Sequence, residues 1–461
     1  MRIAWCTPFT PMSAIGEFSS LVVTALRELA DVDVDIWYPR GTGGRSVPDR
    51  GRELVGSWQE ALKEYDRVVY QIGDHATYHG QLVRAAAAVP GVVVMHDVSL
   101  THLFFPTVTA MGPGEVRALF ARISPELGDE AATAFLADPS SWAWEAKSTT
   151  TFPLSELAME NATAVVTHSH FAADQLRDRY VGDVSVLPLP VLHAPDTDRQ
   201  PVRLPIDLTR PLVLQAGTMN ENKCIEVVIE AFARSTASAT AQLVVCGHGP
   251  EETVDRLKRL ARRLTGDADI IVLGAVTDDV LHALRTQAAI STVLRYPSSE
   301  ASSAVLIDSM AYGNAIVVAD AGHYGEMPAG TVSTVPAPPT VDDVAAVLDT
   351  LLADPDGASA MGARASAYVA DEHTAQNYAR QILPILRGAG AAGPRRRLAR
   401  ELGTVLHQLG FLPDSPIVSQ LASTTVELFG SAPRRPAVLA APRTRARRAP
   451  VEWPERSPRT S

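Results

Sequence analysis

The stretch RIAWCTPFTPMSAIGEFSSLVVTALRELADVDVDIWY (2–38) decides the fold. An apolar run, RIAWC (2–6), is followed by a helical pattern with Phe18, Leu21, Val22, Ala25, Leu26 and Leu29 on one stripe. A second apolar run, VDIWY (34–38), comes next. Strand, helix, strand in this order builds a parallel sheet with helices on its faces. The unit then repeats through RVVYQI (67–72), GVVVMH (91–96), TAVVTH (163–168) and VSVLPL (184–189). It restarts with PLVLQA (211–216), QLVVCG (242–247), DIIVLG (269–274), AISTVL (289–294) and NAIVVA (314–319). The expected fold class is therefore α/β, with two Rossmann-like domains facing a cleft. The Asp- and Pro-rich stretch 193–205 marks the boundary, and a helical insertion over about 100–160 interrupts the first half.

Composition bounds the function. The chain has 461 residues, enough for two domains and extras at roughly 150 residues each. Apolar residues make up 46% and charged residues 20%, a globular balance. A formal charge of −11 argues against a nucleic-acid partner, since phosphate backbones require clustered Lys and Arg. No apolar run approaches the roughly 18 residues of a membrane span, and no basic-then-apolar leader opens the chain. Cys6, Cys224 and Cys246 form no metal-ligand or disulfide pattern. A soluble cytoplasmic protein is expected.

The charge is uneven. Residues 432–461 hold eight Arg, two Glu and six Pro, a net +6, which leaves −17 for the rest. This segment reads as a disordered basic tail. Before it, Leu398, Leu402, Val405, Leu406 and Leu409 form a helical stripe that opens with Arg395, Arg396, Arg397 and Arg400. A second helix is expected from Ser415-Pro416 to Gly430. This extension either packs as a helical hairpin or docks on a partner or on the inner face of a membrane.

In open parallel sheets, ligands bind beyond the C-terminal ends of the strands. The segment GTMNENK (217–223) follows one strand and ends in Lys223. After AISTVL comes RYPSSEASSAVLIDSMAYGNAIVVAD (295–320), with Glu300 in the loop and Asp308 about two turns into the next helix. Free amides at that helix start suit an anion, with Lys223 as a positive charge opposite. Two carboxylates flanking such a site suit two hydroxyl-bearing parts of one ligand joined by phosphate.

Here the segment resembles the E-x7-E motif of family 4 glycosyltransferases, enzymes of the two-Rossmann GT-B fold, with Asp308 at the second position. The run LRYPSSEASSAVLIDSMAYGNAIVVADAGHYGEMP (294–328) is similar to their longer signature. GTMNENKCIEVVIEAF (217–232) resembles their phosphate loop, PGVVVMHDVSL (90–100) their strand ending in a donor-contacting His, and FTPMSAIGEFS (9–19) their opening loop. The resemblance covers roughly residues 1–385. It implies domains of 1–195 for the acceptor and 196–370 for the nucleotide-sugar, with a helix over 371–388 crossing back. The extension would be 389–431.

Residue by residue, the resemblance implies that Glu300 holds sugar hydroxyls, Asp308 the ribose, and Lys223 the diphosphate. His96 would approach the sugar near C6. Gly217 and Thr218, with the amides of Ala301, Ser302 and Ser303, would meet the sugar and phosphates. Ser13, Ala14 and Gly16 would lie near the phosphates or the acceptor. The implied chemistry is retaining transfer by front-face attack, with no metal and no cofactor beyond the nucleotide-sugar donor. A small-molecule, lipid-linked or glycan acceptor from bacterial natural-product or cell-envelope chemistry is expected. Thr218 stands where many members place Arg, Asp308 is a methylene shorter than Glu, and Ala14 replaces a usual Gly. These departures keep two alternatives open: a nucleotide-sugar epimerase and a non-catalytic binding partner.

Other residues carry plainer readings. Asp97 would orient its loop and Glu326 would brace the cleft. His168 and His170 flank Ser169 after a strand, with structural roles expected. Trp142 and Trp144 belong to the insertion and suit packing. DVDVD (31–35) alternates with Val32 and Val34, so one wet and one buried face are expected rather than a metal site. GHG (247–249) lacks the third glycine of a dinucleotide fingerprint.

Overall fold

The structure, a computed structural model, describes residues 1–10, 13–29, 31–42, 50–124, 127–140, 151–180, 182–265, 270–411 and 415–429. The basic tail 432–461, Trp142 and Trp144 lie outside the described residues.

The first sheet contains β1 (Arg2–Cys6), β2 (Asp33–Tyr38), β3 (Gly51–Glu53), β4 (Arg67–Ile72), β5 (Val92–Met95), β6 (Ala164–Thr167) and β7 (Val184–Val186). All pairs are parallel, in the order β3-β2-β1-β4-β5-β6-β7. The second contains β8 (Leu212–Ala216), β9 (Gln242–Cys246), β10 (Ile270–Gly274), β11 (Ala288–Val293), β12 (Ala315–Ala319) and β13 (Ser333–Val335). Its order is β10-β9-β8-β11-β12-β13, again all parallel. In each sheet the winding direction reverses once, between β1 and β4 and between β8 and β11. The crevice at such a reversal is the natural ligand position of a doubly wound sheet.

Helices cover both faces, so the strands read as continuous apolar runs. Helix Ala14–Arg27 shows the local logic. Ser13 caps it by accepting the Gly16 amide at 3.2 Å, Glu17 sits in the first turn, and Phe18, Val22, Ala25 and Leu26 are buried. The expected strands all form, with some ends moved by up to three residues, most of all in VSVLPL, where the strand stops at Val186. The short edge strands β3 and β13, three residues each, escape the apolar-run criterion.

The 31–35 segment departs from its expected alternation. Asp35 is buried, accepting the Tyr65 hydroxyl at 2.5 Å and pairing with Arg50 at 2.8 Å. A sheet covered on both faces leaves no wet face, so this carboxylate is neutralised inside instead. Asp33 pairs with Arg50 at the exposed end.

The insertion forms helices Thr101–Thr109, Pro113–Ile123, Gly128–Ala137 and Ser155–Met159. Toward the end, the expected helices at 371–388 and from 389 onward are one continuous span, Ala375–Gln408. Its Tyr378, Ala379, Ile382, Leu386 and Ala389 join Ile3, Trp5, Phe18 and Ile36 in the core of the first sheet. Residues 1–397 form one compact unit and 398–461 another. In the second, helix Pro416–Phe429 begins where Ser415-Pro416 places it, and Val405 and Leu409 are exposed. No helix among the described residues is long and apolar enough to cross a membrane.

Candidate active site

The site grows from the β8/β11 reversal. Past β8 the chain must cross β9 closely: Gly217 donates to Cys246 O at 3.0 Å. A Cβ on Gly247, whose φ is +145°, would lie 1.8 Å from Gly217 O. Only glycine fits there. The loop then makes a 3-10 turn, Glu221–Lys223, and Cys224 (φ 52°) reverses it into helix Ile225–Arg234. Tyr296 donates to Asn222 O at 2.8 Å, which ties this loop to the one after β11.

Three charged groups meet between these loops. Lys223 is 5% exposed, and its ammonium is pushed down to about 8 by burial and by Arg295, against the pull of Glu300. Arg295, directly after Leu294, contacts Glu300 at 2.9 Å. Tyr324 donates its hydroxyl to the same carboxylate. Burial opposes ionisation of Glu300, but Arg295 and Lys223, helped by His323 and Tyr324, outweigh it and hold the carboxyl below its ordinary range. The cluster thus sets two cations against one fixed carboxylate. His323 is 1% exposed, with no hydrogen-bond partner for either ring nitrogen among the described residues, and burial pushes it down to about 4.

The first lobe closes on this cluster by main-chain pairing. Ala301 donates to His96 O and Val98 to Ser299 O, both at 2.8 Å, forming an antiparallel bridge between Asp97 and Glu300. Asp97 accepts the Asp74 amide at 2.9 Å, and burial and the Asp74 charge push its carboxyl up to about 7. His96 uses both ring nitrogens inside the protein, with Gln71 at 2.9 Å and His168 at 3.2 Å. His168 in turn faces Leu187 O with Nδ1 at 3.1 Å, so that nitrogen donates and its Nε2 accepts from His96. Burial, then His168, holds His96 well below its ordinary value, hence neutral. A neutral His96 must accept from Gln71, which fixes the amide with its nitrogen toward the ring and gives that otherwise unpaired nitrogen a partner.

Asp308 has partners of another kind. It is 1% exposed, and Oδ1 accepts the amides of Leu192 at 2.9 Å and His193 at 3.0 Å. Its Oδ2 meets His193 Nδ1 at 2.7 Å and Arg285 at 3.2 Å. His193 reaches Glu17 with its other nitrogen at 3.1 Å, and the Asp308 and Glu17 carboxylates push it up to about 9. Glu326 accepts the amides of His170 (2.9 Å) and Phe171 at the start of helix His170–Arg177. That helix is also capped by Ser169, at 3.1 Å from the Ala172 amide.

The structure thus brings Lys223, Glu300, Ala301, His96 and Asp97 together. Ser303 caps helix Ala304–Ala311, accepting the Leu306 amide at 3.4 Å. Ser302 is half-buried and Thr218 exposed. Ser13 is spent on its helix cap, Ala14 is exposed, and Gly16 is buried where a Cβ would stand 2.7 Å from Pro8 O. Sequence reasoning missed Arg295, Tyr324, His323, His193 and Arg285. Arg295 was visible as a basic residue at a strand end; His193 and Arg285 gave no local signal.

Two Rossmann-like sheets, each reversing once, give the chain the GT-B architecture, and its family match is to glycosyltransferases. Residues 196–368 match the family described as "Glycosyl transferases group 1". Among solved structures, the chain is similar to sucrose-phosphate synthase from Thermosynechococcus elongatus, at 17% identity and TM-score 0.59, over 85% of this chain and all of that one. It is also similar to Anabaena HepE, solved in complex with UDP and glucose, at 14% identity and TM-score 0.57 over 84% of this chain and all of HepE. WaaG, a glycosyltransferase involved in lipopolysaccharide biosynthesis, matches at 15% identity and TM-score 0.56, over 84% of this chain and all of WaaG. At these identities the similarity concerns the fold. No curated protein sequence matches the chain.

Proposed function

We propose that the protein is a retaining, metal-independent family 4 transferase that moves a sugar from a nucleotide-sugar to an acceptor hydroxyl. The carrying observation is the convergence of Lys223 and Arg295 on Glu300 at the β8/β11 reversal. Two buried cations against one fixed carboxylate suit a diphosphate, and a neighbouring carboxylate suits sugar hydroxyls. HepE, which shares the fold, binds UDP and glucose, which supports this ligand class.

In the reaction, the bond from sugar C1 to the phosphate oxygen breaks as the acceptor oxygen bonds C1 from the same face. The acceptor proton passes to the leaving phosphate. Lys223 and Arg295 stabilise the charge developing on that phosphate, which does the work a metal would otherwise do. Glu300, fixed as an anion, orients the sugar. The main-chain bridge to His96 and Val98 shuts water out, limiting donor hydrolysis. The acceptor belongs to natural-product or cell-envelope glycan chemistry and enters from the first lobe.

The test is thermal unfolding with UDP, GDP, ADP and dTDP, each with and without sugar, followed by donor turnover. Selective stabilisation by one nucleotide is expected. A transferred sugar that keeps the donor's anomeric configuration in the NMR spectrum supports the mechanism, and an inverted one refutes it. Donor turnover without any acceptor would move the assignment to an epimerase.

A further inference from the structure

Three strand ends of the second lobe meet around Glu300, and each brings a polar side chain that the protein leaves unmatched. Asn222 follows β8, Ser298 follows β11 and His323 follows β12. Asn222 Oδ1, Ser298 Oγ and both ring nitrogens of His323 are buried, with no hydrogen-bond partner among the described residues. No other side chain among those residues has two such atoms.

Neighbours fix where the His323 ring lies. It packs on Tyr324 with ring centroids 3.9 Å apart, and Tyr324 donates its hydroxyl to Glu300. Gly322 (φ 58°) turns the chain just before it, and a Cβ there would stand 2.8 Å from Ser298 Oγ. The first lobe roofs this loop. Phe171 comes within 3.5 Å of that same Cβ position, and Glu326 accepts the amides of His170 and Phe171. Burial keeps the ring neutral, although the Glu300 charge pulls the other way. A neutral imidazole offers one N–H donor and one acceptor nitrogen. Sealing both from water with no partner works against folding, so such a pair calls for a partner from outside the chain.

Charge narrows the chemistry of that partner. Lys223 and Arg295 suit an anion, and Glu300, held ionised, suits hydroxyl protons. A neutral ring beside a serine hydroxyl and an amide oxygen matches another uncharged hydroxyl, which both donates and accepts. We propose that His323, with Ser298 and Asn222 beside it, reads a hydroxyl of the donor sugar beyond those held by Glu300, so that a sugar lacking it is rejected. The assignment deepens the function proposed above and rests on it. His323 is then a specificity-determining residue, with no part in making or breaking the glycosidic bond.

Calorimetry on the full chain decides it, with wild type compared to His323→Leu and His323→Asn. The probes are UDP, GDP, ADP and dTDP, then the glucose, galactose and mannose esters of whichever binds. The 2-, 3-, 4- and 6-deoxy forms of the tightest ester complete the series. Leu has a similar volume and no polar atom, so the thermal midpoint is expected to stay level or rise, with diphosphate affinity held within about twofold. Wild type is expected to lose roughly 5–100-fold when one particular hydroxyl is removed, and His323→Leu to lose nothing further at that position. His323→Asn keeps a donor and an acceptor and should recover part of the discrimination.

A wild type indifferent to all four deoxy forms overturns the assignment. So do identical deoxy profiles in wild type and His323→Leu, which would leave the ring a packing or water-holding group. If His323→Leu does not fold, Ser298→Ala carries the same comparison, with a smaller loss of discrimination expected at the same hydroxyl. If wild type binds none of the diphosphates, the proposed function falls and this assignment with it. If one binds and the profiles coincide, only the assignment falls.

Discussion

Replacing Lys223 by Met should move stability and activity in opposite directions. In the folded protein its ammonium drops from 10.5 to about 8, chiefly through burial. That displacement corresponds to about 3 kcal/mol by which folding disfavours the charged form. The sign follows from proton counting. Between about 8 and 10.5 the unfolded chain holds the proton and the folded chain does not, so wild-type stability rises with pH across that window and is lowest below it. Met keeps the apolar stem and removes the buried charge, although Glu300 loses one of its two cationic neighbours. A net gain of about 1–3 kcal/mol at pH 7 is expected, shrinking toward zero by pH 10.5. Turnover should fall roughly 10²–10³-fold, the scale for losing one preorganised donor to a developing oxyanion. Denaturant unfolding at a series of pH values, paired with donor turnover, measures both. A variant that is less stable at pH 7 and turns over normally would refute the reasoning.

Other expectations follow from the same geometry. Diphosphate affinity should be highest below about pH 8 and decline as Lys223 loses its proton above it; a flat calorimetric profile from pH 6 to 9.5 would contradict this. Gly247→Ala drives a Cβ into Gly217 O, so nucleotide binding should be lost while circular dichroism stays near native; unchanged binding would show that the crossing can relax. Glu326→Gln removes a charge from the start of helix His170–Arg177 and should cost about 0.5–2 kcal/mol in unfolding, less at high salt. A salt-independent loss would point to packing instead.

Much of the architecture could be read in advance because parallel strands covered on both faces leave continuous apolar runs, as RVVYQI does for β4. The three-residue edge strands carry too little pattern for that. Lys223 and Glu300 could be found because they follow strands, where ligands of this fold lie. Partners far apart in sequence could not. Asp308 could be singled out by its place eight residues after Glu300, but not its donors Leu192 and His193, which lie 116 and 115 positions away. His96 could be singled out at the end of its strand, but not Gln71 and His168, which meet both of its ring nitrogens. Asp35 looked solvated because alternation was read on a strand that has no solvated side.

The helix that begins at Ala375 has a consequence for how the protein is made. Tyr378 stacks edge-on against Phe18 with ring centroids 5.1 Å apart, and Ile382 and Leu386 sit beside Ile3 and Trp5. Strands β1 and β2 therefore leave the ribosome more than 300 residues before the helix that seals their interior. At about 5–20 residues per second, that delay is on the order of tens of seconds. Through it, the early half must hold an open apolar face while the later half folds on its own, and an N-terminal fragment ending near residue 195 should be a chaperone client rather than a stable domain.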